Sequence, residues 1–455
     1  MKVLLISDIP PCDDFTAGIV LSAMVRFLPR GSICCFAVVN PLVSLRMSSE
    51  FSGIPVEFHR KPLENWAWLP DRFPVSRISS LASRAGEIAA SNRQVKSLVA
   101  KAVAFGREQH VDRVWTVLQG QTTIRMALAV ADGLNVPLHT QVWDPFSWWA
   151  KANHLDDRTT HKIKDLFDET IRRSVAVATA SHPMAKLYRD RFGVKAVPVI
   201  SSYPRAIACT PVAGPRAGEP IVIGMAGQFY AADEWLQLLA ALHAVDWTVG
   251  GCRVSIVAMG PMRPPSMPAA NVTFLGWKSQ AEAIRILAGC DFLYCPYPFD
   301  PSMEEVARLS FPSKLVLYLA SGRPVIFHGP AYSSAADYVA GKGCGILATS
   351  LSGESILREI ERLAGDRELY ADMASKAQTA FVEDFTLESM ARSFNDFIGL
   401  HADGRMALHD HARCDGEAIQ PDQLPPSMRR SLLSSAVRYG RMARQGWKKP
   451  RVGRV

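Results

Sequence analysis

Apolar positions fall in short continuous runs separated by stretches of helical period, and this alternation organises most of the chain. Lys2–Ser7 (KVLLIS) is a run of β-branched and leucine residues. A Pro/Asp loop follows, and apolar residues then recur at helical spacing from Thr16 through Leu28. A second strand-like run begins near Ile33 and carries Val38 and Val39. Arg113–Leu118 (RVWTVL) is a third, with a helix over Thr122–Gly133 behind it. Val136–Val142 and Ser174–Ala180 complete the series before a helix over Pro183–Phe192. Strands that are apolar throughout are buried on both faces, which predicts a parallel sheet covered by helices on each side.

The pattern stops at PRAIACTPVAGPRAGEP (204–220), whose prolines and small residues read as an interdomain linker over 206–220. Alternation then restarts. IVIGMAG, RVSIVAMG, NVTFLG, DFLYCP and PVIFH read as strands; Asp233–Ala244, Ala281–Leu287 and Ser313–Ala320 read as helices. The expectation is an α/β chain with two doubly wound, Rossmann-like domains: 1–205, and 221–380 after the linker. Phe381–Leu400 reads as one amphipathic helix with an aromatic face, and 401–455 as a polar spacer and basic tail. Open sheets of this kind bind ligands at the carboxyl ends of their strands, so two of them facing each other predict a cleft.

Length and composition agree with this. The 455 residues, 48% hydrophobic and 21% charged, make more than one globular domain, and no apolar run is long enough to span a bilayer. The start, MKVLLISDIPP, meets Asp8 and two prolines where a signal peptide would need a longer apolar stretch, so the protein reads as cytoplasmic. Nine cysteines without a CxxC pair argue against a disulfide framework or structural zinc. The net charge of +8 belongs to the tail. Nine basic residues and no acidic one follow Ser427, and without them the body, with 43 acidic residues, is about neutral. That disfavours nucleic acid as a partner. Residues 428–451 form a basic amphipathic segment with Trp447, which fits either an anionic membrane surface at the inner face or a solvated tail.

The chemistry concentrates in Asn271–Ile326. Phe311-Pro312-Ser313-Lys314 sets a proline before a helix whose first turn has unpaired N–H groups, with Ser313 as cap and Lys314 as cation. Such a helix start suits a diphosphate, or is simply a capped helix with a solvated lysine. In the first half, Gln141-Val142-Trp143-Asp144-Pro145-Phe146 follows a strand end. Trp148 and Trp149 add flat faces for sugar stacking or for domain packing. Gln119-Gly120-Gln121 follows another strand. His409-Asp410-His411 with Cys414 lacks a complementary second cluster, so no metal is expected there.

Taken in order, these segments resemble retaining GT-B glycosyltransferases of the broad family-4-like group. The resemblance is carried by NVTFLGW, AGCDFLYCPYP and FPSKLVLYLASGRPVI, with IVIGMAGQFY and RVSIVAMGP before them and MKVLLISDIPP…TAGIV at the start. It covers roughly residues 1–400 and is sharpest over 271–330. The resemblance implies a nucleotide-sugar donor, with Gly18, Gly227, Gln228, Ser313 and Lys314 on its phosphates, Phe229 also on the donor, and Lys314 also in catalysis. It implies Asp144 as the acceptor-contacting and second catalytic residue, with Gln119 and Trp143 beside it on the acceptor, and the C-terminal helix crossing back to the first domain. Chemistry of this kind needs no metal and no cofactor beyond the sugar nucleotide itself.

Two features depart from the family pattern. Its paired glutamates fall at positions occupied here by Leu309 and Leu317, and its arginine and lysine after the glycine turn are replaced by Gln228-Phe229-Tyr230 and Asp233-Glu234-Trp235. The expected function is transfer of a sugar from a nucleotide-sugar to a glycan or lipid-linked glycan, with retention. A non-catalytic binding protein and a sugar-nucleotide epimerase on the same fold are the alternatives.

Overall fold

In a computed structural model of the chain, the apolar runs become strands of two parallel sheets, β1–β7 and β8–β14. The structure describes residues 1–400 except 14, 41–45, 63, 65–76, 216–218 and 269. The His409-Asp410-His411 cluster with Cys414 and the basic segment 428–451 lie outside the described residues.

The first sheet comprises β1 (Val3–Ser7), β2 (Ile33–Val39), β3 (Val56–Arg60), β4 (Arg113–Val117), β5 (Leu138–Val142), β6 (Ala176–Thr179) and β7 (Ala196–Pro198). They lie in the order β3-β2-β1-β4-β5-β6-β7, all parallel. The helices are α1 (Thr16–Arg26), α2 (Arg77–Glu108), α3 (Gln121–Leu134), α4 (Phe146–Ala152), α5 (Asp157–Arg173) and α6 (His182–Phe192). Every residue of β1 and β5 is buried, as expected of strands covered on both faces. Local signals set the helix ends. Ser181 accepts from Met184 N–H at 3.0 Å to start α6, and Gly193, at φ +66°, ends it.

The second sheet has β8 (Ile221–Ala226), β9 (Thr248–Val249), β10 (Cys252–Met259), β11 (Val272–Phe274), β12 (Phe292–Pro296), β13 (Val325–His328) and β14 (Gly345–Ala348). Its order is β11-β10-β8-β12-β13-β14, parallel throughout, with β9 pairing antiparallel to β10 at one end. The helices are α7 (Ala232–Ala244), α8 (Gln280–Ala288), α9 (Glu304–Leu309), α10 (Ser313–Ala320), α11 (Ser334–Lys342), α12 (Gly353–Gly365), α13 (Arg367–Asp384) and α14 (Leu387–Ile398).

The chain divides into two units, Met1–Ser201 with the segment from Met390, and Ser202–Ser389. Most of α14 thus belongs to the first unit, where Phe394 and Phe397 pack with Trp115. The Pro-rich stretch expected as a linker is bonded into the second unit. Cys209 N–H donates to Ala320 O at 2.8 Å, and Gln378 Nε2 to Cys209 O at 2.7 Å. Arg323, only 7% exposed, donates to Thr210 O and to the carbonyls of Ala288 and Cys290 at the end of α8. The single amphipathic helix expected over 381–400 is two helices, interrupted at Phe385–Thr386. There Tyr203 N–H donates to Phe385 O and Leu387 N–H to Tyr203 O, both at 3.0 Å. No described helix is long and apolar enough to cross a membrane.

Candidate functional site

Strand order picks out one place in each sheet. In the second unit the chain leaves β8 toward β10 on one side and leaves β12 toward β13 on the other, which makes the carboxyl ends of β8 and β12 the switch point. The turn after β8 is built to lie close to its neighbours. Gly227 has φ +99°, its N–H donates to Met259 O at 3.1 Å, and a Cβ on Gly260 would stand 2.4 Å from Gly227 O. Tyr318, on α10, fixes the strand end by accepting Ala226 N–H at 2.9 Å and donating to Ala226 O at 3.2 Å.

Lys314 reaches this turn from the start of α10. A Cβ on Gly227 would lie 3.4 Å from Lys314 Cβ, so the lysine stem runs beneath the glycine. Its ammonium lies 4.3 Å from the Tyr230 ring centroid and donates to Pro296 O, the last residue of β12, at a long 3.4 Å. The residue is 6% exposed. Burial pulls its pKa down, and the nearby Cys295 and Glu234 oppose that. A buried ammonium with one long hydrogen bond is under-satisfied, and an anion is the partner that would correct it. Glu234, in the first turn of α7 and 2% exposed, holds the far side by accepting Phe299 N–H at 2.7 Å; burial raises its pKa. Beneath it Tyr294 Oη lies 2.7 Å from His328 Nδ1, while His328 Nε2 lies 3.0 Å from Ser350 O. With Nε2 as the donor, Nδ1 accepts from Tyr294.

The first unit has its own switch point, between β1 and β4. A buried charge cluster sits there. Lys61 Nζ lies 2.6 Å from Glu64 Oε2 and 3.2 Å from Asp8 Oδ2. Glu64 Oε1 accepts Thr122 N–H at 2.7 Å, supplying a negative charge at the N-terminus of α3. Gly120, at φ +93°, leaves room for it, since a Cβ would fall 2.7 Å from Glu64 Oε2. Burial raises the Asp8 pKa against the pull of Lys61. For Lys61 burial is outweighed by Glu64 and Asp8, and its pKa rises. Nothing in the sequence pairs these three residues except that Asp8 follows the first strand.

The residues singled out from the sequence meet different fates. Gly227 and Lys314 come together at the second switch point, with Gln228 exposed beside them. Ser313 is the exposed first residue of α10 and not its cap; the N-cap is Pro312, which has no capping side chain. Phe229 packs edge-on against Trp235 at the margin of the core. Gly18 is buried in the first turn of α1, where a Cβ would stand 2.1 Å from Cys12 Sγ, so its space is filled by the chain's own loop. Gln119, Trp143 and Asp144 stand half-buried after the neighbouring strands β4 and β5, Trp143 leaning on the first core. Trp148 and Trp149 are buried, Trp149 against Phe146 and close to Gly120, so packing occupies their faces. Leu309 and Leu317 are half-buried. Trp277, 60% exposed just beyond β11, has the most open ring among the large apolar residues described. No group of residues able to hold a metal ion occurs among the described residues.

No protein-family model matches the chain, and no curated protein matches it in sequence. Solved structures do match its fold. HepE from Anabaena in complex with UDP superposes with a TM-score of 0.58 at 15% identity, over 88% of this chain and 100% of that one. Sucrose-phosphate synthase from Thermosynechococcus elongatus gives 0.60 at 12% identity, over 88% and 98%. A glycosyltransferase from Rickettsia africae gives 0.59 at 11%, over 88% and 99%. HepE has also been crystallised with UDP-glucose. At such identities the likeness establishes architecture, and the chain has the GT-B fold that these glycosyltransferase structures share.

Proposed function

We propose that the protein is a glycosyltransferase that takes a sugar from a nucleotide-sugar and passes it, with retention, to a glycan or lipid-linked glycan, without a metal. The observation that carries this reading is Lys314, a buried ammonium at the start of α10 and at the switch point of its sheet, short of hydrogen-bond acceptors. A diphosphate would supply them. In the reaction the bond from the anomeric carbon to the diphosphate oxygen breaks, the same carbon takes the acceptor oxygen, and the hydroxyl proton passes to the departing diphosphate. Negative charge grows on that leaving group. Lys314, the first N–H groups of α10 and the Gly227 turn would meet it without reorganising, which is electrostatic preorganisation. Asp144, with Gln119 and Trp143, is the proposed acceptor contact, and Trp277 is a free aromatic face for a nucleobase. The basic residues 428–451 would bring the enzyme to an anionic inner membrane surface that carries the acceptor.

The first experiment is the melting temperature of the purified chain with UDP, GDP, ADP or dTDP, each at about 100 times its dissociation constant. Binding at that level adds about 2.7 kcal/mol, several degrees for a chain of this size. A shift with one nucleotide names the donor class. No shift with any of them overturns the reading and favours the second one, a protein of this fold that binds a glycan or partner without transfer, for which Leu309 and Leu317 in place of the family's glutamates are the motive. Lys314→Ala should lower transfer by roughly tens of fold with the melting curve of the free protein little changed; unaltered kinetics would remove Lys314 from the site.

A further inference from the structure

Lys314 does not face open solvent. Its stem passes under Gly227, its Nζ touches Pro296 O, and the ring of Tyr230 lies 4.3 Å from the charge. Tyr230 is half-buried and Lys314 is 6% exposed, so the ring is one of the groups that cover the ammonium. The ring belongs to the turn between β8 and α7, which opens with Gly227 at φ +99°, and it rests edge-on against Tyr297 with centroids 5.8 Å apart and planes at 82°. An aromatic face satisfies an ammonium weakly compared with an anion.

We propose that Tyr230 is a displaceable cap on the anion site: its ring holds the face of the Lys314 ammonium that a phosphate group takes, and it turns away when the ligand arrives. The inference rests on Lys314 being the anion-binding cation of the proposed function. Ring and phosphate compete for one charge. The ring therefore keeps the buried ammonium partnered in the free protein, and its displacement is subtracted from the affinity for the ligand.

Two measurements on the full chain separate this from the functional reading. The first needs no nucleotide. Lys314 acetylation by an N-hydroxysuccinimide ester is followed by peptide mass spectrometry, with exposed lysines such as Lys186 as internal controls. Tyr230→Ala should raise the Lys314 rate by about tenfold or more relative to those controls, and Tyr230→Phe, which keeps the ring, should leave it unchanged. Equal rates in wild type and Tyr230→Ala overturn the cap. The second is calorimetric binding of inorganic pyrophosphate and UDP. Removing a cation–π contact from the free state should tighten both by roughly threefold to thirtyfold in Tyr230→Ala, while Tyr230→Phe behaves as wild type. Unchanged or weaker binding in Tyr230→Ala also overturns the cap. Should neither compound bind the wild type, the functional reading fails, and the acetylation rates still decide whether the ring covers the lysine.

Discussion

Lys61 carries a full charge into the first unit with two carboxylates as its partners. Its side chain is 8% exposed, as against 13% for Asp8 and 7% for Glu64, so water does little to screen the three. Removing the cation would leave two buried carboxyl groups facing each other. Lys61→Met should therefore cost about 3–5 kcal/mol in urea denaturation, far more than the deletion of a surface lysine. Loss of under 1 kcal/mol would mean that the cluster is solvated in solution. Arg323 shows the contrasting solution, a guanidinium whose partners are all backbone carbonyls. Its fork matches the carbonyls that α8 leaves unpaired at its end, where the helix dipole favours a cation. In the sequence this arginine is one letter of a sugar-transferase-like motif; in the structure it fastens the stretch before β8 to the second sheet.

At the scale of elements, α1 and α14 show how packing overrides period. Gly18 lies in a helix, where alanine would ordinarily be preferred by about 1 kcal/mol. Here the Cβ of alanine would meet Cys12 Sγ at 2.1 Å, with Pro10 O at 3.0 Å behind it. Gly18→Ala should destabilise by about 1–3 kcal/mol, the usual range for overpacking, and Cys12→Ala in the same chain should recover part of that. Additive losses in the double variant would disprove the clash. The break between α13 and α14 has a cause that no helical period contains. Thr386 Oγ1 accepts Ser389 N–H at 3.3 Å, and Tyr203, 183 positions earlier, pairs with the backbone on both sides of it. The start of α10 tells the opposite story. Its residues, Ser313–Ala320, were legible from the proline before it and the glycine after it.

At the scale of the whole molecule, two buried histidines set the response to acid. His139, 3% exposed and edge-on to Phe397, and His328, fully buried against Tyr294, both have pKa values pushed down by burial to about 4. Each is held neutral in the fold, whereas the unfolded chain binds a proton near pH 6.5. The unfolded state thus carries more protons between these values. Stability is full above about pH 6.5 and falls as the pH drops toward 4, by on the order of 3 kcal/mol for each ring. Asp8, with its raised pKa, acts in the opposite sense, so the histidine contribution is read as a difference. Urea midpoints at pH 7.5 and 4.5 should fall less in His139→Gln than in the wild type. Parallel profiles would show that this ring titrates alike in both states.

The fold and its candidate site were legible to different depths. Continuous apolar strands between amphipathic helices are a local consequence of burial on both faces, so the two α/β halves, and Gly227 and Lys314 at strand and helix ends, can be read from neighbouring letters alone. The 32-residue α2 could not, since its small and polar residues carry little helical period. Local letters also set turn chemistry: Pro312 and Gly322 bracket α10, and Ser181 and Gly193 bracket α6. They do not contain distances between residues far apart in sequence. Tertiary structure alone brought Lys61 and Glu64 to Asp8, turned Phe229 toward the core, filled the space at Gly18 with Cys12, and laid Tyr230 over Lys314. Hydrophobic period is a property of each element, whereas the partner of a buried charge is a property of what folds against it.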